Sequence, residues 1–273
     1  MFLINTKFLV IVFSLSIFLN TNVYSELPGK IAKLSEELTI DKIREDVYIV
    51  NHKFPWPANS MIVRCSDSIF VWVDTPYNND ATKQVLDWIT SQFGEIRIVE
   101  INTGFHNDNL GGNGYLAKRG IDIYGSNLTA RLLREQSEKT REQLLKWLEK
   151  PKFKKYYDAH ATATYIEPTH IFEIEKDFKL IFGSEEIEVY YPGASHSIDN
   201  VVVYFPNKKI LFGGCMVKSI NSSNLGFTGD ADMKQWPISL KKVLTKYGEA
   251  QIVVPGHGTF GGIELIKHTL TLF

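Results

Sequence analysis

The sequence predicts an α/β fold in which two β-sheets carry helices on their outer faces. Three observations lead there. Strand-like runs precede helical runs twice along the chain, once in each half. Residues able to do chemistry gather in glycine-containing loops at strand ends. No Gly-, Pro- or Ser-rich linker and no repeat of fixed period divides the chain, so one domain is expected.

In order, β-type runs at 47–50, 60–63 and 69–73 are each bounded by polar or turn residues. The segment 81–93 reads as a helix: Asp80 can cap it, Val85, Leu86, Trp88 and Ile89 give an apolar face, and Gly94 ends it. Arg97-Ile-Val-Glu-Ile101 is a buried strand that runs into the polar loop Asn102 to Gly112. Residues 126–150 are rich in helix formers, with Leu133, Leu144, Leu145, Trp147 and Leu148 as apolar points and Pro151 as the stop, which fits one long helix or two short ones. The second half offers strands at 179–182, 187–191, 201–205 and 210–212 and a helix at 236–247. A strand at 251–254 then leads into Pro255-Gly-His-Gly258, and a final helix covers about 262–272.

Composition narrows the function. Of 273 residues, 44% are hydrophobic and 12% aromatic, enough for a sizeable core and too many for a disordered chain. Thirty basic against 31 acidic side chains give no electrostatic reason to bind nucleic acid or an anionic membrane surface. Lys7, the apolar run Phe8 to Leu19 and the polar stretch ending Val23-Tyr24-Ser25 predict a secretory signal over 1–25, leaving 26–273 as the working domain. That run falls short of the ~20 apolar residues a membrane span needs. An exported, periplasmic monomer with no membrane attachment after signal cleavage is therefore expected.

Two cysteines are too few for a disulfide framework. Cys65 lies in a strand-like run and reads as an ordinary buried thiol. Cys215 follows a glycine pair after a strand, in the company of His106 and Asp108, of His196, and of His257 in other strand-end loops. Imidazole, thiolate and carboxylate are the donors that suit zinc. Zinc with an open position brings bound water to a pKa of ~7, which points to a hydrolase. Any one of these residues alone reads more readily as a turn or hydrogen-bonding group than as a ligand; their joint placement carries the argument.

Thr103-Gly-Phe-His-Asn-Asp-Asn-Leu-Gly-Gly112, Gly193-Ala-Ser-His-Ser-Ile-Asp-Asn200, Phe212-Gly-Gly-Cys-Met-Val-Lys218 and Val254-Pro-Gly-His-Gly258 together resemble the metallo-β-lactamases. The match is ordered from Val73-Asp74 to the terminal helix. It implies a four-layer αββα sandwich, zinc at one edge between the sheets, and hydrolysis of a small-molecule β-lactam. In Cys-containing members one zinc site uses three His and the other Asp, Cys and His. The latter falls on Asp108, Cys215 and His257. The former keeps only His106 and His196, because the first position of His-x-His-x-Asp is Gly104.

One zinc ion is therefore expected at the Asp-Cys-His site, with the second site weakened. The mono-zinc, carbapenem-selective subclass also lacks the first His and has an aromatic residue next, as Phe105 is here. The short 51–59 segment and the 126–150 helix lean the same way, whereas 212–219 and 254–258 are more similar to the di-zinc subclass. With one zinc, the resemblance has His106 and Asp108 orient or deprotonate the attacking water and His196 hydrogen-bond near the carbonyl. With two, His106 and His196 become ligands. Lys218 matches the lysine that binds the substrate carboxylate, and Asp74 reads as a support for the metal loops.

Two departures bear on substrate. Phe227 stands where the family commonly has a carbonyl-polarising Asn, and Asn109 replaces a common Arg or Lys. They leave open an exported hydrolase of another ester, thioester or lactam, or a zinc-binding protein with little turnover.

Overall fold

A computed structural model describes residues 29–273, and the predicted signal at 1–25 lies outside the described residues. Eight strands form one sheet in sequence order: β1 (Gly29–Lys33), β2 (Leu38–Arg44), β3 (Val47–Lys53), β4 (Pro57–Ser66), β5 (Ile69–Val73), β6 (Arg97–Ile101), β7 (Asp122–Ser126) and β8 (His170–Phe172). The first five pair antiparallel and β5 to β8 pair parallel. A second sheet has the order β13-β12-β11-β10-β9, from β9 (Phe178–Phe182), β10 (Glu185–Tyr190), β11 (Val202–Phe205), β12 (Ile210–Gly214) and β13 (Ile252–Pro255). The helices are α1 (Asn79–Phe93), α2 (Asn107–Leu110), α3 (Asn113–Lys118), α4 (Asn127–Leu148), α5 (Lys154–Ala161), α6 (Trp236–Lys246) and α7 (Glu264–Leu270).

Alternation along the strands explains the layering, since successive side chains leave a strand on opposite faces. Ile49, Met61, Val63, Val71 and Val73 point inward and meet Val189, Val203, Phe205, Phe212 and Val254 of the other sheet. Their neighbours Tyr48, Val50, Ile62, Phe70 and Trp72 face outward onto Val85, Leu86 and Ile89 of α1 and Leu116 of α3. On the far side Val202, Tyr204, Leu211 and Val253 pack on Trp236, Leu240 and Val243 of α6 and Leu265 and Ile266 of α7. Three apolar seams between four layers make the expected αββα sandwich.

One local signal differs from expectation, and one open alternative resolves. Asn78, not Asp80, caps α1: its Oδ1 accepts from the Ala81 amide at 2.8 Å, and Asp80 sits in the first turn. The 126–150 segment is a single helix, α4, capped by Ser126, whose Oγ accepts from the Thr129 amide at 2.9 Å. Both cysteines are free thiols. The carboxyl ends of β5, β6, β12 and β13 open onto one edge of the sandwich, the place where loops at strand ends collect ligands in such folds.

Candidate metal centre

Three loops deliver three donors. After β6 the chain reaches His106, the extended N-cap residue of α2 (φ −69°, ψ 153°), with Asp108 in the first turn. After β12, Gly214 takes φ 54°, a left-handed conformation that favours glycine, and turns the chain into Cys215. After β13, Gly256 passes so close that a Cβ there would lie 2.9 Å from Cys215 Sγ, and the next residue is His257.

The donor atoms of Asp108, Cys215 and His257 all lie within 4.8 Å of one another. His257 Nε2 is 3.0 Å from Asp108 Oδ2, and Cys215 Sγ is 3.6 Å from Asp108 Oδ2 and 3.8 Å from His257 Nε2. His257 Nδ1 donates to the Pro57 carbonyl at 2.8 Å, which turns Nε2 toward the other two donors. Burial and the neighbouring Asp108 carboxylate push the Cys215 thiol well above its ordinary pKa. Burial also opposes the Asp108 charge, but the His257 hydrogen bond and the nearby His106 and His196 outweigh it and hold the carboxyl below the usual range. A divalent cation among the three would favour both anions. One oxygen, one sulfur and one nitrogen at this spacing fit zinc.

His106 and His196 stand beside this group with ring centroids 5.2 Å apart, edge to face. His106 Nε2 donates to Asp230 Oδ2 at 3.0 Å, a carboxylate–histidine pair that fixes the ring and leaves Nδ1 as its other nitrogen. Burial disfavours protonation of His106, yet Asp230 and Asp108 prevail and raise its pKa. His196 is pushed the other way, by burial and then by Lys218, and its buried Nδ1 has no partner among the described residues.

The place of the missing first histidine is filled. A Cβ on Gly104 would lie 2.6 Å from Asn200 Nδ2 and 3.2 Å from Asn109 Oδ1. Asn200 is itself tied down, its Oδ1 accepting from the Ser197 amide at 2.8 Å.

Asp74 supports the loop as expected. Its carboxylate accepts from the Thr103 amide and hydroxyl, both at 2.7 Å, and from Asn109 Nδ2 at 2.8 Å, while burial pushes its pKa up to about 8. Asn109 Nδ2 also approaches Cys215 Sγ at 3.8 Å.

A cavity of about 790 Å³ joins Asp108, His257, His106, His196 and Lys218, with Trp147 of α4 and Phe227 at its apolar side. All six residues predicted for the site therefore meet, Cys215 lying beneath the cavity against Asp108. Lys218 is buried, its Nζ 5.3 Å from the Trp236 ring centre. Sequence reading missed Asp230 and Tyr77, which stand in loops without a motif of their own, and gave Asn200 no role although it ends the Gly193 to Asn200 motif; only the folded arrangement shows what they face.

The description of the Metallo-beta-lactamase superfamily matches residues 96–257. The chain belongs to that superfamily. It is 31% identical to "Metallo-beta-lactamase type 2" of Bacteroides fragilis over 88% of this chain and 87% of that protein. It is 32% identical to the protein of the same name in Bacillus cereus, over 79% and 73%. Among solved structures it resembles the metallo-β-lactamase from Pontibacter korlensis, with a TM-score of 0.72, 33% identity, and 86% and 98% of the two chains covered. The protein is thus a zinc-dependent hydrolase of the metallo-β-lactamase fold.

Proposed function

We propose that this protein is an exported, periplasmic monomer that opens the β-lactam ring, prefers carbapenems, and uses one zinc ion held by Asp108, Cys215 and His257. The observation that carries the proposal is the O, S, N donor set within 4.8 Å at the wall of a cavity that Lys218 also lines. Zinc bound there supplies a Lewis acid for the scissile amide. Lys218 binds the substrate carboxylate as a point charge. His106, fixed by Asp230, orients the attacking water and takes its proton at Nδ1, while Asp230 and Asp108 stabilise the imidazolium that forms. His196 hydrogen-bonds near the lactam carbonyl. Trp147 and Phe227, ring centroids 5.1 Å apart, exclude water from the apolar side.

The single-zinc reading is supported by Asn200 standing where a third imidazole would go. The carbapenem preference is supported by α4, which brings Leu144 and Trp147 over the cavity. The β3–β4 hairpin adds to this, since it stays paired to Lys53 and Pro57 and carries no long flap. Comparing kcat/KM for a penicillin, a cephalosporin and a carbapenem at one zinc per chain tests the proposal. The carbapenem is expected to lead by at least about tenfold, a difference of ~1.4 kcal/mol in transition-state binding. Equal values for the three would refute the selectivity, and turnover of none would refute the lactamase reading.

A further inference from the structure

Tyr77 follows β5 through Asp74, Thr75 and Pro76 and is 5% exposed. Its backbone amide donates to His52 Nδ1 at 3.2 Å, and its ring packs edge-on against His52 and His160, with centroids 5.7 and 6.2 Å away. Its hydroxyl makes no hydrogen bond to any described residue. The oxygen is not among the fully buried polar atoms without a partner, so it reaches a cavity, whereas the Tyr247 hydroxyl is paired with Glu188 at 3.0 Å. Tyr77 lines the same cavity as Asp108 and His257. It also borders a second cavity of about 410 Å³ beside Glu37 and His52. Burial, and then the Asp108 and Cys215 groups on the metal side, push its pKa well up.

We infer that the Tyr77 hydroxyl is a hydrogen-bond donor to the molecule bound beside Asp108, Cys215 and His257. On the lactamase reading this makes Tyr77 a substrate-contacting catalytic residue. Phe227 has no donor to offer a substrate oxygen or nitrogen; Tyr77 brings a neutral donor to the wall shared with Asp108 and His257, in a cavity that Asn107, Thr140 and Gln143 also line. A phenol held in place by its packing is oriented before the substrate arrives, which is where such a donor acts most effectively.

Tyr77→Phe removes the oxygen and keeps the ring. Azide, an anion that occupies an open metal position, is titrated into the Co(II)-loaded wild-type and variant proteins and followed by visible absorption. The variant is expected to bind azide about fivefold more weakly, the loss of one neutral hydrogen bond. The cobalt content and the cobalt–thiolate band should not change, because Tyr77 is not a ligand. With a carbapenem, kcat is expected to fall by about tenfold or more.

Azide affinity within twofold of wild type overturns the inference, whatever the turnover. If wild type hydrolyses no β-lactam but Tyr77→Phe still weakens azide, the lactamase reading falls and the Tyr77 donor stands.

Discussion

The proposed single zinc ion turns on one residue, Gly104, which offers no side-chain donor. The gap left by glycine is occupied by Asn200, which is 2% exposed and fixed by the Ser197 amide. A Cβ at 2.6 Å from its Nδ2 is closer than side chains tolerate, so Gly104→His must displace a buried, hydrogen-bonded amide. Gly104→His is expected to cost about 1–3 kcal/mol in urea unfolding and to leave zinc at one per chain, whereas adding Asn200→Ala makes room for the new imidazole and raises the zinc content. Two tightly bound zinc ions in Gly104→His alone, with no loss of stability, would show that the space is not filled. The donors were legible in the sequence because short glycine-bearing motifs mark them. Asn200 was visible only as the end of a motif, since its role depends on which loop it faces.

At the scale of elements, the β3–β4 hairpin is tied to α5 by an aromatic cluster rather than left free. Phe54 stacks on His52 at 5.2 Å and meets His160 and Tyr156 at 5.4 and 4.9 Å. These rings hold in place the hairpin whose Pro57 carbonyl orients His257. Burial lowers the pKa of His52 and of His160 from 6.5 to about 4. A depressed folded pKa means that the unfolded chain takes up the proton first. The stability each neutral histidine contributes is therefore complete above pH 6.5 and is lost as pH falls toward 4. His160→Phe escapes that loss. Relative to wild type it should gain about 2 kcal/mol between pH 7 and pH 5, measured by urea unfolding at the two values; a difference independent of pH would contradict the assignment.

Which elements were legible follows the same physics. Ile69–Val73 and Arg97–Ile101 coincide with their expected bounds because they are compact apolar runs. The strands β1 and β8 escaped because they are sheet edges with exposed, partly charged residues and no full apolar face. The short helix α3 escaped because glycine and asparagine open it.

For the whole molecule, the order of strands and helices announced two sheets with outer helices, and the period-two alternation of β3 to β5 is what turns those sheets face to face. That α4 covers the cavity was an expectation of the family resemblance and not of its own residues, because the placement rests on contacts such as Trp147 with Trp56 and Phe227 between distant segments. The sandwich brings six residues from four loops to one edge, where on the proposed reading Asp108, Cys215 and His257 hold the one zinc ion needed for lactam hydrolysis. The most direct measurement is a zinc titration of metal-free protein, with carbapenem hydrolysis read at each step for wild type and Cys215→Ser. Activity is expected to rise from nothing and saturate at one zinc per chain in wild type, and to require far more zinc in Cys215→Ser; hydrolysis by metal-free protein, or an unchanged titration in Cys215→Ser, would contradict it.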